Sequence, residues 1–420
     1  MTLSRALWAG HAVDACLYAY ALGAALNLAT AQGSLLLLLG ALVLLLLSND
    51  ASARTAWSTR RAELGPALFF LGACALSIAA TTAPFPGWFD ATRFRPLLGI
   101  PLAGLAFMAR DRKVALRCAA LFAGGCALHA LIGLYQARTG ATPLADLLQI
   151  PPDKRTWPAP DSPGLLSAAG LFYNRVRLSH VLASACGVAA GMALFHGRRR
   201  AGWLLAAAVS FAGLLATYGR AALAALLVSL LLAAAWRARA LPAAGKRALW
   251  RTVGAGAVGV ILVVAAVPSV RDRMASAVDV SRNADRLFLW ARGVEMALDH
   301  APFGTGFGGY AVVRDAYYDR VDPTLQSRAM SHNQLLTLLA ETGVAGLVGW
   351  LWMWLALFLG ALRRGEPVAL AGALGALTFH AATLAHDPLY QSECALAWGF
   401  CAALMLAGGG KRDDAVPGTL

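Results

Sequence analysis

An imidazole at the mouth of a long apolar run is the group in this chain best suited to proton chemistry. The sequence reads Ser331-His332-Asn333-Gln334, and nine residues separate Asn333 from Gly343-Val344-Ala345-Gly346. Ser331 followed three residues later by Gln334 has the form of a capping box, which predicts a helix whose first residue is His332. At about 100° per residue, His332, Leu336, Leu339, Gly343 and Gly346 share one helix face. The two glycines there allow a neighbouring helix to approach closely. On this reading Ser331, Asn333, Gly343 and Gly346 support the imidazole. An interfacial histidine above an ordinary packing motif has the same spacing, so the rest of the chain decides.

Arginines are the second group of chemical interest. Arg93 and Arg95 flank an apolar run, and Arg175 and Arg177 open another within Phe172-Tyr173-Asn174-Arg175-Val176-Arg177. Arg220 sits between two runs in Thr217-Tyr218-Gly219-Arg220-Ala221, with almost no loop around it, and Arg286 opens Asp285-Arg286-Leu287-Phe288-Leu289-Trp290. An arginine within a membrane costs about 2.5–3.5 kcal/mol on insertion scales, and less where it can snorkel. One such residue reads as an anchor. Several gathered on the face that carries His332 read as a site for phosphate oxygens, because guanidinium groups capture them bidentately and can replace a metal.

The elements that must position these groups follow from composition. Hydrophobic residues make up 59% and charged residues 14%, with a mean hydropathy of +0.60, far from a soluble globular average. Apolar runs of roughly 16–25 residues, each long enough to cross a bilayer, recur from end to end. About twelve are expected, near 12–29, 33–48, 65–82, 94–109, 114–137, 176–195, 201–217, 221–236, 248–267, 333–360, 367–385 and 393–408. The first has no small-residue cleavage site before a polar mature segment and reads as a retained span. The fold class is therefore all-α: a polytopic membrane protein forming a single transmembrane domain over residues 1–420.

Alternate connections are basic: Arg54, Arg60 and Arg61; Arg110, Arg112 and Lys113; Arg198 to Arg200; Arg237, Arg239, Lys246 and Arg247; Arg363 and Arg364; Lys411 and Arg412. The short connections Ala29–Gly33 and His386–Glu393 carry no Lys or Arg. The positive-inside rule then puts both termini in the cytoplasm. Much of the net charge of +14 is this bias, so no nucleic-acid partner is implied; membrane lipid is the expected surroundings.

Two connections on the opposite side are long. One, residues 138–177, is proline-rich. The other, residues 268–331, is large enough to hold structure of its own. Within it Asn283–His300 has helical periodicity, with Leu287, Trp290, Val294 and Leu298 on one side, as in a helix lying on a membrane or roofing a cavity. Gly304-Thr305-Gly306-Phe307-Gly308-Gly309 satisfies G-x-G-x-x-G, yet no strand precedes it, so it reads as a flexible turn and not a dinucleotide site. No Asp-x-Asp pair or His/Cys/Asp cluster at ligand spacing occurs in these loops, so no metal or other cofactor is expected. His300, His380 and His386 read as interfacial or core histidines. The seven cysteines fall in or beside apolar runs and read as small hydrophobic fillers.

These residues together carry a family resemblance. His332-Asn333, nine residues and Gly343-Val344-Ala345-Gly346 resemble a tract shared by O-antigen ligases and the wider ligase/polymerase superfamily. Arg220 between two spans, Arg286-x-x-x-Trp290 and Pro302-Phe303-Gly304-x-Gly306 agree with it. The resemblance covers roughly Ala201–Trp354, and the first half of the chain agrees only in its pattern of spans. Gly219 departs from the pattern, where a serine is expected before the arginine, which affects the hydrogen bonding of Arg220. The family implies a GT-C-like glycosyltransferase of the bacterial inner membrane with a large helical periplasmic loop. Its donor is a glycan on undecaprenyl pyrophosphate, and in ligases the acceptor is a sugar hydroxyl of lipid A–core.

The residues suit that chemistry. A lipid pyrophosphate is already a good leaving group, so preorganised guanidinium groups are needed to hold the developing phosphate charge; Arg220, Arg286, Arg175 and Arg177 are the candidates. A neutral imidazole at His332 can take the acceptor's proton. The positive end of a helix disfavours imidazolium by about 0.3–1 kcal/mol, and by up to about 2 when partly buried. The same terminus also suits a phosphate oxygen, so a base role and a phosphate-donor role for His332 both stand. Direct displacement would invert the anomeric centre. A polymerase or a protein O-oligosaccharyltransferase of the same superfamily would use similar residues; the compact end favours a ligase. A transporter or lipid flippase has a similar number of spans, but would place its charges near the midplane, on paired broken helices.

Overall fold

The computed structural model describes residues 2–47, 51–81, 96–142, 151, 155–160, 162, 164–172, 174–197, 199–276, 284–321 and 329–408. Arg93 and Arg95 lie outside the described residues. The helices are α1 (Thr2–Leu26), α2 (Leu28–Leu47), α3 (Ala51–Ala80), α4 (Gly99–Ala109), α5 (Arg112–Thr139), α6 (Arg175–Phe195), α7 (Arg200–Ala216) and α8 (Arg220–Ala238). They continue with α9 (Ala243–Ala266), α10 (Pro268–Ala275), α11 (Ala284–Asp299), α12 (Tyr310–Asp319), α13 (Gln334–Arg364), α14 (Pro367–Thr383) and α15 (Ser392–Leu404). Each of the twelve apolar runs lies on one of these helices, and α10, α11 and α12 occupy the long connection before His332. Seven are long and apolar enough to cross a membrane, and four shorter ones are also apolar. The chain is an all-α polytopic membrane protein. Its described strands are Trp157–Pro158 and Leu166–Ser167, an antiparallel pair in the proline-rich connection.

Small residues set the centre of the bundle. A Cβ added at Gly187 would stand 2.9 Å from the Gly375 Cα, and one at Gly191 would stand 2.7 Å from the Ala371 Cα. The backbones of α6 and α14 therefore meet directly, as small-residue interfaces allow in apolar surroundings. This pair fixes two parts of the site, because α6 begins with Arg175 and α14 leads into His386 and Asp387. At the periphery, α9 buries none of its residues.

The start and middle of α13 differ from the sequence expectation. Asn333 is the N-cap; its side chain accepts from the amides of Leu335 and Leu336. His332 stands before the helix in left-handed backbone, with φ 53°. Ser331 is drawn away from capping because its hydroxyl bonds Thr337 Oγ1 at 2.6 Å and the Asn333 carbonyl at 2.8 Å. Gln334 likewise turns aside and accepts from the Leu389 amide. The helix then breaks at Gly343, whose φ of 63° and ψ of −166° are not helical. His332, Gly343 and Gly346 therefore do not share a continuous helical face. What approaches Gly343 is the turn before α12: a Cβ there would lie 1.8 Å from the Pro302 carbonyl oxygen. At Gly346 the space is taken by Thr342 of the same helix.

Gly343→Ala should lower stability by about 2–4 kcal/mol, since it combines positive φ with a backbone collision. Gly254→Ala on α9, where a Cβ meets nothing within 4 Å, should leave stability unchanged or raise it by up to about 1 kcal/mol. Thermal unfolding of the detergent-purified variants separates the two; equal melting temperatures would remove the constraint at Gly343.

Candidate active site

The first turns of α6 and α8 stand side by side. Asn174 caps α6 by accepting from the amides of Val176 and Arg177, which leaves Arg175 as its first residue. Between α7 and α8 the chain reverses through Thr217, Tyr218 and Gly219, with Tyr218 at φ 55° and the Thr217 hydroxyl accepting from the Gly219 amide. Arg220 opens α8, and its Nη1 donates to Ser276 Oγ at 2.8 Å. The departure at Gly219 has a spatial explanation. A Cβ there would stand 2.7 Å from Ser179 Oγ, so a hydroxyl from α6 fills the volume a serine side chain would take.

A cavity of about 220 Å³ opens between these elements, lined by Arg175, Arg220, Arg273, Arg286, Ser179 and His386 among others. Its volume is below the ~300–1,000 Å³ usual for whole small ligands and suits a headgroup. Four guanidinium groups around so small a space repel one another. Burial first, and the neighbouring Arg273 second, make the charge on Arg286 harder to hold. An anion relieves both penalties. Three of the four arginines were legible in the sequence. Arg273 was missed; its one signal was Pro268, which starts the short helix α10 that carries it.

Arg177 goes elsewhere. It donates to Glu393 Oε1 of α15 at 2.8 Å and does not line the cavity.

His332 stands beside the cavity. Its ring is edge-to-face with that of His386, 5.5 Å between centroids, and its Nδ1 lies 4.0 Å from Asp387 Oδ2. That is long for a hydrogen bond, though such contacts commonly tighten when substrate binds. The other oxygen, Oδ1, accepts from Thr337 at 2.7 Å and from Ser331 at 3.5 Å. Burial pushes the Asp387 carboxyl up to about 6, against the opposing pull of Thr337, Ser331 and the amides of His332 and Asn333. His332 is held below the ordinary imidazole value by burial first and by Arg286 second. The expected neutral imidazole thus has a different cause from a position inside a helix terminus. Neither Asp387 nor His386 was singled out from sequence for this site; their partnership with residue 332 is wholly non-local. His380 is a core residue, accepting from Trp398 Nε1 at 3.0 Å.

A buried carboxylate holds the large loop in place. Glu341 of α13 is fully buried and accepts from the amides of Gly308 at 2.8 Å and Tyr310 at 3.0 Å, and from the Tyr390 hydroxyl. The Phe307 amide donates to Ser77 of α3. Residues 304–309 are therefore a buried turn held by its backbone amides, contrary to the flexible turn expected. Beside it α11 packs Leu289 and Met296 against Ala340 and three tyrosines of α12, which fixes Arg286. Leu287, Val294 and Leu298 form its exposed side. Among the described residues no group of three or more His, Cys, Asp or Glu side chains is gathered as a metal ion requires.

Glu341→Ala should destabilise by about 3–5 kcal/mol, because it strands buried donors in an apolar interior. Glu341→Gln keeps an acceptor oxygen and should cost less. Limited proteolysis within residues 301–321 reads the difference; equal protection in all three proteins would show that the carboxylate does not hold the loop.

No curated protein matches the chain. Residues 205–351, which hold Arg220, Arg273, Arg286, His332 and Glu341, match the family model described as O-Antigen ligase.

Proposed function

We propose that the protein is an O-antigen ligase that moves O-antigen polysaccharide from undecaprenyl pyrophosphate to a sugar hydroxyl of lipid A–core, completing lipopolysaccharide. The observation that carries this reading is the cavity walled by Arg175, Arg220, Arg273 and Arg286, with His332 beside it. Guanidinium groups aimed at a headgroup-sized space hold a diphosphate and stabilise the charge it gains on leaving, the task a metal performs elsewhere. His332 takes the proton of the acceptor hydroxyl, and Asp387 orients the imidazole through Nδ1, leaving Nε2 as the base. His332 lies next to the cavity and not in its wall, which favours the base role over that of phosphate donor. Attack opposite the departing diphosphate inverts the anomeric centre.

In this reading the protein sits in the bacterial inner membrane with the cavity facing the periplasm, and residues 138–177 and 268–331 are periplasmic loops of one transmembrane domain. The basic connections, such as Arg363 and Arg364 at the far end of α13 from His332, support that orientation.

A deletion strain should lose long-chain lipopolysaccharide while capped polymer accumulates on its lipid carrier. Loss of the polymer itself would assign the protein to the polymerases. Complementation with His332→Ala or Arg220→Ala should yield normally inserted protein and no decorated lipid A–core. Normal long chains from the His332→Ala strain would overturn the base assignment.

The pH dependence follows from the two shifted groups. Asp387, raised to about 6, is ionised at neutral pH and gains its proton as pH falls through that value. His332 is shifted downward from the ordinary imidazole value by burial and by Arg286, so it is neutral at neutral pH. The rate in proteoliposomes should therefore fall on the acid side, with Asp387 gaining its proton near pH 6. Asp387→Asn should slow turnover by about 10²-fold or more and shift that limb; an unshifted limb in the variant would remove Asp387 from the mechanism.

A further inference from the structure

His386 is in contact with both halves of the site. It lines the arginine cavity, and its ring is edge-to-face with His332 at 5.5 Å and with His180 at 5.4 Å. It also lies beyond the segment that matches the family. Charged and titratable groups face it from every side. They are Arg175 and His180 from α6, Arg286 from α11, and His332 from the turn before α13. Arg220 from α8 and Arg273 from α10 line the same space. Asp387 follows it in the chain, with Oδ1 engaged by Thr337 and Ser331.

This surrounding holds His386 well below the ordinary imidazole value. Burial comes first, and His180, His332, Arg286 and Arg175 act in the same direction. A bound diphosphate changes the sign of the local field, because its negative charge offsets the arginines and gives an imidazolium N–H an acceptor.

We propose that His386 is a catalytic acid, charged by donor binding, that gives its proton to the departing diphosphate. This rests on the transferase reading above. The step balances within the site. The acceptor oxygen bonds to the anomeric carbon and its proton passes to His332. The bond from that carbon to the phosphate oxygen breaks, and its electron pair leaves on the diphosphate, which takes the proton of His386. The protonated His332 then returns a proton to His386 across the ring contact. The net transfer is one proton from acceptor to diphosphate; His332 ends neutral and His386 ends charged, each as it began, and His386 gives up its proton when the diphosphate leaves. His180 backs the ring of His386 from within the bundle.

The test is calorimetric titration of the whole protein in detergent with a short-chain prenyl diphosphate, in two buffers of different ionisation enthalpy near neutral pH. Wild type should take up close to one proton on binding. His332→Gln should still take it up. His386→Gln keeps an N–H donor, so it should bind within about tenfold of wild type and take up none. In turnover assays kcat of His386→Gln should fall about 10²-fold with the donor KM little changed. Binding to wild type without proton uptake, or full uptake in His386→Gln, would overturn the proposal while leaving the phosphate cavity intact. Failure of the diphosphate to bind at all would instead remove the cavity's assigned ligand, and both readings with it.

Discussion

Three of the four arginines around the cavity stand in the first turn of a helix: Arg175 of α6, Arg220 of α8 and Arg286 of α11. That is the unfavourable end for a cation, where the helix dipole and the free amides are themselves positive, at a cost of about 0.3–1 kcal/mol each. Crowding the guanidinium groups around one small space adds mutual repulsion. Arg175 donates to the Thr217 carbonyl at 3.3 Å and Arg220 to Ser276 at 2.8 Å, bonds that hold these guanidinium groups at the cavity. The features that disfavour crowded cations here are ones that favour an anion. The rest of the molecule can be understood as the scaffold that keeps these repelling groups from separating.

That scaffold relies on polar side chains sent from the bundle into the loops. Glu341 gathers the turn 304–310. On the other long connection, Gln136 of α5 accepts from the amides of Ala169 and Gly170, both at 2.9 Å. About two turns earlier on a similar face of that helix, His129 accepts from the Leu171 amide through Nε2 at 2.7 Å. Its Nδ1 therefore carries the proton and donates to the Ala25 carbonyl at 2.8 Å. In apolar surroundings each of these groups is costly if unpaired and firm when paired. Both connections are thus tied down by bonds whose loss is expensive, and Arg175 and Arg286 inherit their positions from segments anchored in this way.

The sequence carried the spans and much of the arginine set, because long apolar runs and the charges interrupting them are local signals. It misplaced what depends on distant partners. Ser331 and Gln334 have the spacing of a capping box, but Thr337 and Leu389 compete for their side chains and leave the cap to Asn333. Gly343 and Gly346 have the spacing of a helix-packing pair, yet the backbone of Pro302, far earlier in the chain, enters at Gly343, where the helix breaks. Arg177 sits two residues from Arg175, and only the position of Glu393 on α15 decides that it turns away. His386 and Asp387 had no local pattern to mark them; each acquires its role from a ring or a carboxylate contact made across the fold.

His332 shows why that outcome is physically reasonable. Left-handed backbone at a histidine costs on the order of 1 kcal/mol, and such strain persists where the surroundings over-determine it. Here the determinants are on both sides: Ser331 is fixed by Thr337 and Asp387, and Asn333 is fixed as the cap of α13. The left-handed residue between them joins two anchored neighbours and turns its ring out of the helix, toward His386. Had the imidazole been the first helical residue, the helix axis would have set its direction. Placed before the cap, it is directed by the segment 386–387, which α14 positions through its close contact with α6. His332, Asp387 and Arg175 therefore depend on the same pair of helices, so the spacing between the imidazole and the arginine cavity is set by the close packing of α6 against α14.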